Sequence, residues 1–387
     1  MATTLTAPTT ELATSRMRWQ TTALQCVALA LAVYGVFAID LLGAVRANPW
    51  TQWTYLGMWI LYLACAPSAL EAALTAVVGV MFARFAGFTA GFAYPGGPMV
   101  TAGAYAGVAA ILALTWQAPR ARPARLMLFR CLGLIAMGIG IGRLLALNAQ
   151  VAAWKLDASL FALDLRLTGG VPAFTIAASR FYQWFRPSQL LIYYALPCAT
   201  MIVYAAHLRR ARPGAPNFLL ITIANLTIGY ALYMFYPAAG PAYAFSGFPH
   251  TVPTLTSMAP VWLGAPANAM PSLHVSTALL LWWNSREWPV GRYVALAFLV
   301  LTVAATLGLG EHYCLDLVVA VPYALLIQSL GDRGPHRRAC CITGAVLTTA
   351  WLVTLKWGFP VLDWSPWLLR AAVVLTLVQS RRALRTS

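Results

Sequence analysis

The sequence predicts an all-α fold, a polytopic bundle of membrane-spanning helices, on three observations. The 387-residue chain is 60% hydrophobic and 9% charged, with a mean hydropathy of +0.71. Apolar runs of about 20 residues recur along it, the length a helix needs to cross a hydrocarbon core. Arginines sit at the ends of those runs, as they do in the cytoplasmic loops of membrane proteins. A water-soluble domain of this size needs far more polar surface.

The net charge of +16 comes from 26 basic residues, of which only Lys155 and Lys356 are lysines. A nucleic-acid interface is a poor reading of that balance, because no basic patch interleaves with aromatics on a soluble surface. The seven cysteines lie in or beside apolar runs without a C-x-x-C pair, and read as small buried hydrophobes. No metal and no cofactor is expected. The alanine-rich, arginine-over-lysine composition suits a bacterial inner or plasma membrane.

Taken in order, residues 1–20 form a polar tail. The apolar run that follows lacks a small-residue cleavage site and reads as an uncleaved anchor. Segments are expected near 22–42, 54–83, 98–116, 127–149, 190–208, 216–236, 271–284, 293–309, 313–330, 339–357 and 365–380, about ten or eleven crossings in all. The stretch 54–116 is interrupted by Pro67, Arg84 and Pro95-Gly-Gly-Pro98, and Glu71 inside it is taken as structural. Residues 150–189 mix Trp154, Asp157, Asp164, Arg166, Arg180 and Arg186 with apolar positions. That pattern suits short amphipathic helices at the membrane interface.

Loop charge orients the bundle. Arg209, Arg210 and Arg212 fill one loop, Arg286 and Arg292 a second, Arg333, Arg337 and Arg338 a third, and Arg381, Arg382 and Arg385 the tail. Between them the loops 237–270, 310–312 and 358–364 carry no Lys or Arg. The basic side is cytoplasmic, so His274 and His312 share the extracytoplasmic side, and His207 and His336 fall on the other. Upstream, the Arg120, Arg122 and Arg125 loop places 150–189 with the two histidines. Arg16 and Arg18 disagree with that count, and the position of the N-terminus stays open.

The chemistry concentrates between Asn268 and Asp316. His312 and Asp316 stand four apart, on one face if the segment is helical. A carboxylate there accepts a proton from one ring nitrogen and raises the basicity of the other, as a nucleophile or general base requires. Pro271-Ser272 reads as a helix start whose free N–H groups suit phosphate oxygens, with the Ser272 hydroxyl beside them. His274, one turn in, is placed to protonate a leaving group. A structural reading stands beside each motif: a satisfied buried pair, and an ordinary helix start.

Met270-Pro-Ser-Leu-His274 and His312-x-x-x-Asp316 resemble the second signature and the end of the third signature of the type 2 phosphatidic acid phosphatase superfamily. The resemblance spans roughly 130–330 and implies a six-helix catalytic core over 127–330. It implies phosphoryl transfer through a phosphohistidine without a metal, with His312 attacking phosphorus, Asp316 orienting it and His274 protonating the leaving oxygen. Two departures stand out. The Ser-Arg of the third signature is replaced by Ala305-Thr306, and the first is only echoed by Arg180 to Pro187. Tyr236-Pro-Ala-Ala-Gly-Pro241 and Asp157-x6-Asp164 are similar to the inositol phosphorylceramide synthase-like branch, which includes phosphotransferases. Arg180 and Arg186 are the candidates to supply the missing phosphate donor, and the plain alternative for each is an interfacial arginine reaching to lipid headgroups. Tyr236 and Tyr243 are candidate substrate contacts, or plain interfacial aromatics.

The expected domains are a tail (1–20), N-terminal crossings of open role (21–126), the core (127–330), and a helical hairpin with basic tail (331–387). The expected function is hydrolysis or transfer of a lipid phospho-headgroup at the extracytoplasmic face, with a lipid phosphate or phospholipid as partner. A transporter using the histidines as a proton relay is the rival, although no inverted repeat is visible. A structural membrane subunit is a third possibility.

Overall fold

A computed structural model of the chain describes residues 49–85, 97–169, 185–210, 215–246, 248, 259–334, 337–358 and 365–385. The expected tail 1–20 and the segment 22–42 lie outside the described residues, as do Arg180, His250 and His336. The described chain is almost wholly helical. Its helices are α1 (Pro49–Ala64), α2 (Ala69–Phe85), α3 (Gly97–Gln117), α4 (Arg122–Val151), α5 (Asp157–Thr168), α6 (Phe185–Tyr194) and α7 (Leu196–Arg209). They continue with α8 (Phe218–Phe235), the single turn α9 (Pro241–Ala244), α10 (Leu273–Asn284), α11 (Gly291–Gly308), α12 (Cys314–Gly331), α13 (Arg337–Trp357) and α14 (Pro366–Arg385).

Six of these, α3, α4, α8, α11, α12 and α13, are long and apolar enough to cross a membrane. The bent pair α6 and α7, which meet at 46°, adds a seventh if it counts as one span. The all-α polytopic bundle read from composition is therefore what forms. Helices α1, α2, α10 and α14 also fall where apolar segments are expected, but the first three have 16, 17 and 12 residues. The fourth carries Arg370, Arg381, Arg382 and Arg385.

The interrupted stretch 54–116 resolves into three helices. Pro67 lies in the break between α1 and α2, and Ser68 and Glu71 start α2 as a reciprocal cap. Ser68 N–H donates to Glu71 Oε2 at 2.8 Å and Glu71 N–H to Ser68 Oγ at 3.2 Å, which meets two otherwise orphaned donors. Glu71 is thus exposed and structural. Helices α1 and α3 pack with their backbones close, since a Cβ at Gly107 would sit 1.8 Å from the Tyr55 carbonyl oxygen. Helix packing in a bilayer favours small residues at such crossings.

Helix α12 is the axis of the second half. It packs against α8, α10, α13 and α14, and most of its residues are buried. Two lateral ties close the assembly around it. Lys356 of α13 donates to the Phe235 carbonyl at the end of α8 at 2.6 Å, and Arg370 of α14 to the Leu167 carbonyl of α5 at 3.2 Å. Each satisfies a carbonyl that a helix terminus leaves open.

Residues 150–169 depart from the expected interfacial arrangement. A two-residue strand, β1 (Trp154–Lys155), pairs antiparallel with β2 (Val261–Trp262), Trp154 opposite Trp262. Helix α5 then turns inward, and every residue from Asp157 to Asp164 is buried. The physical reason is that its two carboxylates are consumed by backbone N–H groups of the loops around the histidines.

Candidate active site

His312 stands in the five-residue link between α11 and α12. Gly310 in that link has φ +72° and Gly240, in the facing loop, φ +102°, values that glycine adopts without strain. The two loops are pressed together: Ala242 N–H donates to the Gly310 carbonyl at 2.9 Å. A Cβ on Gly240 would lie 2.4 Å from the Glu311 carbonyl oxygen.

The imidazole of His312 is held by its Nδ1, 2.9 Å from the carbonyl oxygen of Ala269. A carbonyl only accepts, so Nδ1 carries the proton and Nε2 keeps its lone pair. Asp316 Oδ2 lies 3.4 Å from the same nitrogen, while it accepts from Tyr313 N–H at 2.8 Å. The expected His312–Asp316 pair is therefore present but shared. The helix begins only at Cys314, and the Ala269 carbonyl makes the shorter bond. Burial lowers the His312 pKa to about 4, against opposing pulls from Glu311 and the Ala269 hydrogen bond. The expected raised basicity is thus replaced by a ring that stays neutral, because desolvation outweighs its partners.

The Ala269 carbonyl is itself positioned through a chain of bonds. Asp157 accepts from Ala239 N–H at 3.0 Å and from Gly240 N–H at 2.8 Å, which holds the Tyr236–Pro241 loop. The Ala238 carbonyl of that loop accepts from Asn268 N–H at 3.0 Å and Ala269 N–H at 2.9 Å. Asp164 caps α12, accepting from Cys314 N–H at 2.9 Å and Leu315 N–H at 3.4 Å. Burial pushes Asp164 up to about 8, and the Cys314 N–H pulls the other way. The Asp157-x6-Asp164 spacing has a mechanical meaning: two turns apart on α5, the carboxylates anchor the two loops that flank His312.

His274 lies in the first turn of α10. Ser272 is the N-cap of that helix, and its hydroxyl accepts from Val275 N–H at 3.3 Å. Pro271 precedes the cap instead of opening the first turn. Ser272 N–H donates to the Asp316 backbone carbonyl at 3.2 Å, so the start of α10 is tied to the start of α12. The two imidazoles are 5.8 Å apart between ring centres. His274 Nε2 is buried and makes no hydrogen bond.

An aromatic wall backs His274. Tyr193 of α6 stacks on its ring at 3.8 Å and 18°, and Trp50 of α1 lies 5.3 Å away. Trp50 also packs edge-on against Tyr193 and Tyr194. Tyr193 and Tyr243 hydroxyls donate to Glu311, at 3.1 Å to Oε2 and 3.0 Å to Oε1. Of the other expected residues, Arg186 is exposed near the start of α6, seven residues and two turns before Tyr193 on one face. Tyr236 is wholly buried in the core with Leu160, Phe161, Tyr313 and Met270. It therefore supports the loop from beneath instead of lining an entrance, whereas Tyr243 is exposed. His207 Nε2 donates to the Asn284 carbonyl, 3.0 Å away, at the far end of the helix that begins beside His274.

Trp50, Tyr193, Ala269 and Tyr313 are the site residues that sequence reasoning misses. Trp50 lies far from His274 in the chain, and a backbone carbonyl leaves no trace in residue type. Glu311 had a visible signal, a carboxylate in a chain with ten acidic residues, directly before the histidine.

No curated protein and no solved structure matches the chain. Residues 158–330, from α5 to the end of α12, match the family model described as the PAP2 superfamily, and that match supports the resemblance to the type 2 phosphatidic acid phosphatase superfamily and an activity of the phosphatase or phosphotransferase type.

Proposed function

We propose that this protein is a membrane-embedded lipid phosphatase or phosphotransferase that works through a phosphohistidine on His312 at the extracytoplasmic face. The observation that carries the reading is the pair of imidazoles, 5.8 Å apart, one in the first turn of α10 and one in the link just before α12, two helices whose starts are tied to each other. One has its Nδ1 committed to a carbonyl and its Nε2 lone pair available.

In the first step Nε2 of His312 attacks phosphorus, the N–P bond forms, and the P–O bond to the leaving alcohol breaks. Burial holds the free His274 ring well below its ordinary pKa, so it takes up its proton with the anionic substrate beside it and gives it to that oxygen. In the second step water or an alcohol attacks phosphorus, the P–N bond breaks, and His274 takes back the proton. The Ala269 carbonyl and Asp316 keep the ring oriented and stabilise the charge that His312 gains on phosphorylation. This chemistry needs no metal from the residues that carry it. Ser272 and Arg186 are the proposed phosphate-side donors among the described residues, with Arg180 a further candidate. The loop Tyr236–Pro241 with its Asp157 anchor supports the inositol phosphorylceramide synthase-like branch. The alternation of basic and uncharged loops supports the extracytoplasmic side.

The test is a panel of lipid phosphates and phospholipids presented to the purified protein in detergent, with free phosphate and new lipid products followed together. Phosphate release by the wild type alone, absent from His312→Ala, identifies a phosphatase. A new headgroup-bearing lipid without free phosphate identifies a transferase. Neither product from any donor contradicts the proposal.

A further inference from the structure

The turn between α10 and α11 is braced from within and from outside. Ser285 N–H donates to the Trp282 carbonyl at 3.2 Å, Trp288 N–H to the Ser285 carbonyl at 2.9 Å, and Arg292 N–H to the Trp288 carbonyl at 3.0 Å. The Trp288 ring lies on Gly291, where a Cβ would sit 2.2 Å from it. The guanidinium of Arg210, just past α7, lies over the same ring at 4.7 Å. A turn held this way fixes the two arginines on its flanks, Arg286 and Arg292.

Those two arginines share a cleft of about 410 Å³ with Trp282, Tyr293 and Leu296. Each guanidinium rests on a ring of the cleft, Arg286 over Trp282 at 5.0 Å and Arg292 over Tyr293 at 4.6 Å. Arg292 Nη2 also donates to the Tyr293 hydroxyl at 2.8 Å. Among the described residues neither arginine makes an ion pair, and the neighbouring carboxylate, Glu287, does not line the cleft. Two fixed guanidiniums without a counter-ion keep most of their forked donors for an anion that enters between them.

The cleft opens onto an apolar track. Tyr293, Leu296 and Val300 are exposed and follow the i, i+3, i+7 spacing of one helix face. The track therefore runs from the arginines toward the middle of α11, a helix long and apolar enough to cross the membrane. A ligand with one anionic head and a long apolar tail matches both parts, whereas a free anion uses only the first.

We infer that the cleft between Arg286 and Arg292 binds an anionic phospholipid of the phosphatidylglycerol type, its phosphate between the guanidiniums and an acyl chain along Tyr293, Leu296 and Val300. This lipid is not the substrate. The twelve residues of α10 separate the cleft from His274, about 18 Å of helix. On the orientation that loop charge supports, the cleft faces the cytoplasmic leaflet and the histidines the other. The site stands whether or not His312 is a nucleophile. A mere collar of basic residues would attract anionic lipid by its total charge, but a site depends on which arginines are present. The cleft beside Trp116 offers the contrast, because it holds a single cation, Arg120.

The experiment uses the full-length His312→Ala protein in detergent, so that no lipid is consumed. Native mass spectrometry measures the dissociation constants of phosphatidylglycerol and phosphatidylcholine with matched acyl chains. The expected preference for phosphatidylglycerol is about tenfold or more, falling to about twofold or less when Arg286→Gln and Arg292→Gln are combined. Combining Arg120→Gln and Arg125→Gln, which removes the same charge at the turn between α3 and α4, should leave the preference in place. In a second measurement on the wild type, phosphatidylglycerol with a diazirine in its acyl chain is expected to label α11 between Tyr293 and Val300. This decides the matter should the arginine variant fail to fold. Equal affinity for the two lipids, a preference that survives the loss of Arg286 and Arg292, or an equal loss in the Arg120 and Arg125 variant overturns the site. So does label confined to other helices. Displacement of phosphatidylglycerol by millimolar inorganic phosphate overturns the lipid as the occupant.

Discussion

The carboxylate of Asp157 accepts the hydroxyl of Tyr313 at 2.8 Å, which binds α5 to the residue directly after His312. The same carboxylate holds Ala239 and Gly240, whose loop places Ala269, whose carbonyl holds the His312 ring. One buried residue therefore controls the orientation of the His312 ring, the proposed nucleophile, from two sides.

Asp157→Asn keeps the size and one acceptor oxygen but loses the charge that serves three donors. Loss of such an outer contact to a site histidine is expected to reduce kcat about 10- to 100-fold, by analogy with supporting residues around metal-bound histidines. KM should change much less, because Asp157 is placed to touch no substrate. Steady-state kinetics on a single lipid donor checks this; an effect confined to KM would count against the relay.

The pH profile follows from His312. Its neutral form is the proposed nucleophile, and burial holds its pKa near 4 in the folded protein, below the ordinary value of about 6.5. His312 should therefore stay neutral down to acid pH, and the acid limb that its protonation gives to kcat/KM should fall near pH 4. The sign for stability is the same. Between about 6.5 and 4 the unfolded chain binds a proton that the folded ring does not, so stability declines as pH falls through that window. A kcat/KM profile with its acid limb near 6.5 would show an exposed, ordinary imidazole instead.

Trp50→Ala removes a tilted ring contact with His274 and edge contacts with Tyr193 and Tyr194. Aromatic pairs of this kind contribute about 0.5–1.5 kcal/mol each beyond burial. The expected signature is selective: slower turnover with poor leaving groups and near-normal turnover with good ones, because His274 is the proposed proton donor to the leaving oxygen. His274→Ala should show the same pattern more strongly. A uniform slowing across leaving groups in both variants would separate His274 from proton transfer.

Gly240→Ala places a methyl where the Glu311 carbonyl oxygen lies 2.4 Å away, at a backbone φ of +102°. Such a position costs an alanine about 1–3 kcal/mol, and relief requires moving the Glu311–His312 link. A drop in thermal stability in detergent together with loss of turnover is expected, and an alanine variant of full activity would mean that the two loops are not in contact.

The fold class was legible because hydrophobic runs of membrane length have few alternatives. The two histidines and Asp316 were legible because polar groups in such runs are scarce and their spacings stood out. What the sequence hid was which partner each group takes. Asp316 looked like the sole partner of His312, but a carbonyl 43 residues away in sequence makes the shorter bond. Asp157 and Asp164 looked like marks of an interfacial helix, because nothing local announces that their partners are backbone N–H groups of Ala239, Gly240, Cys314 and Leu315. Tyr236 looked like an interfacial aromatic, and the loop folds over it. The stretch around Pro67 was ambiguous by periodicity, yet Ser68-x-x-Glu71 is a readable helix start.

The central claim is the covalent phosphohistidine, and it is tested most directly by trapping it. The purified protein is mixed with a lipid donor labelled at phosphorus, stopped with base within one turnover, and analysed for label on protein. The account predicts base-stable, acid-labile label that maps to His312 and is missing from His312→Ala. Turnover of the donor with no label on the protein, or with label that persists in His312→Ala, would contradict it.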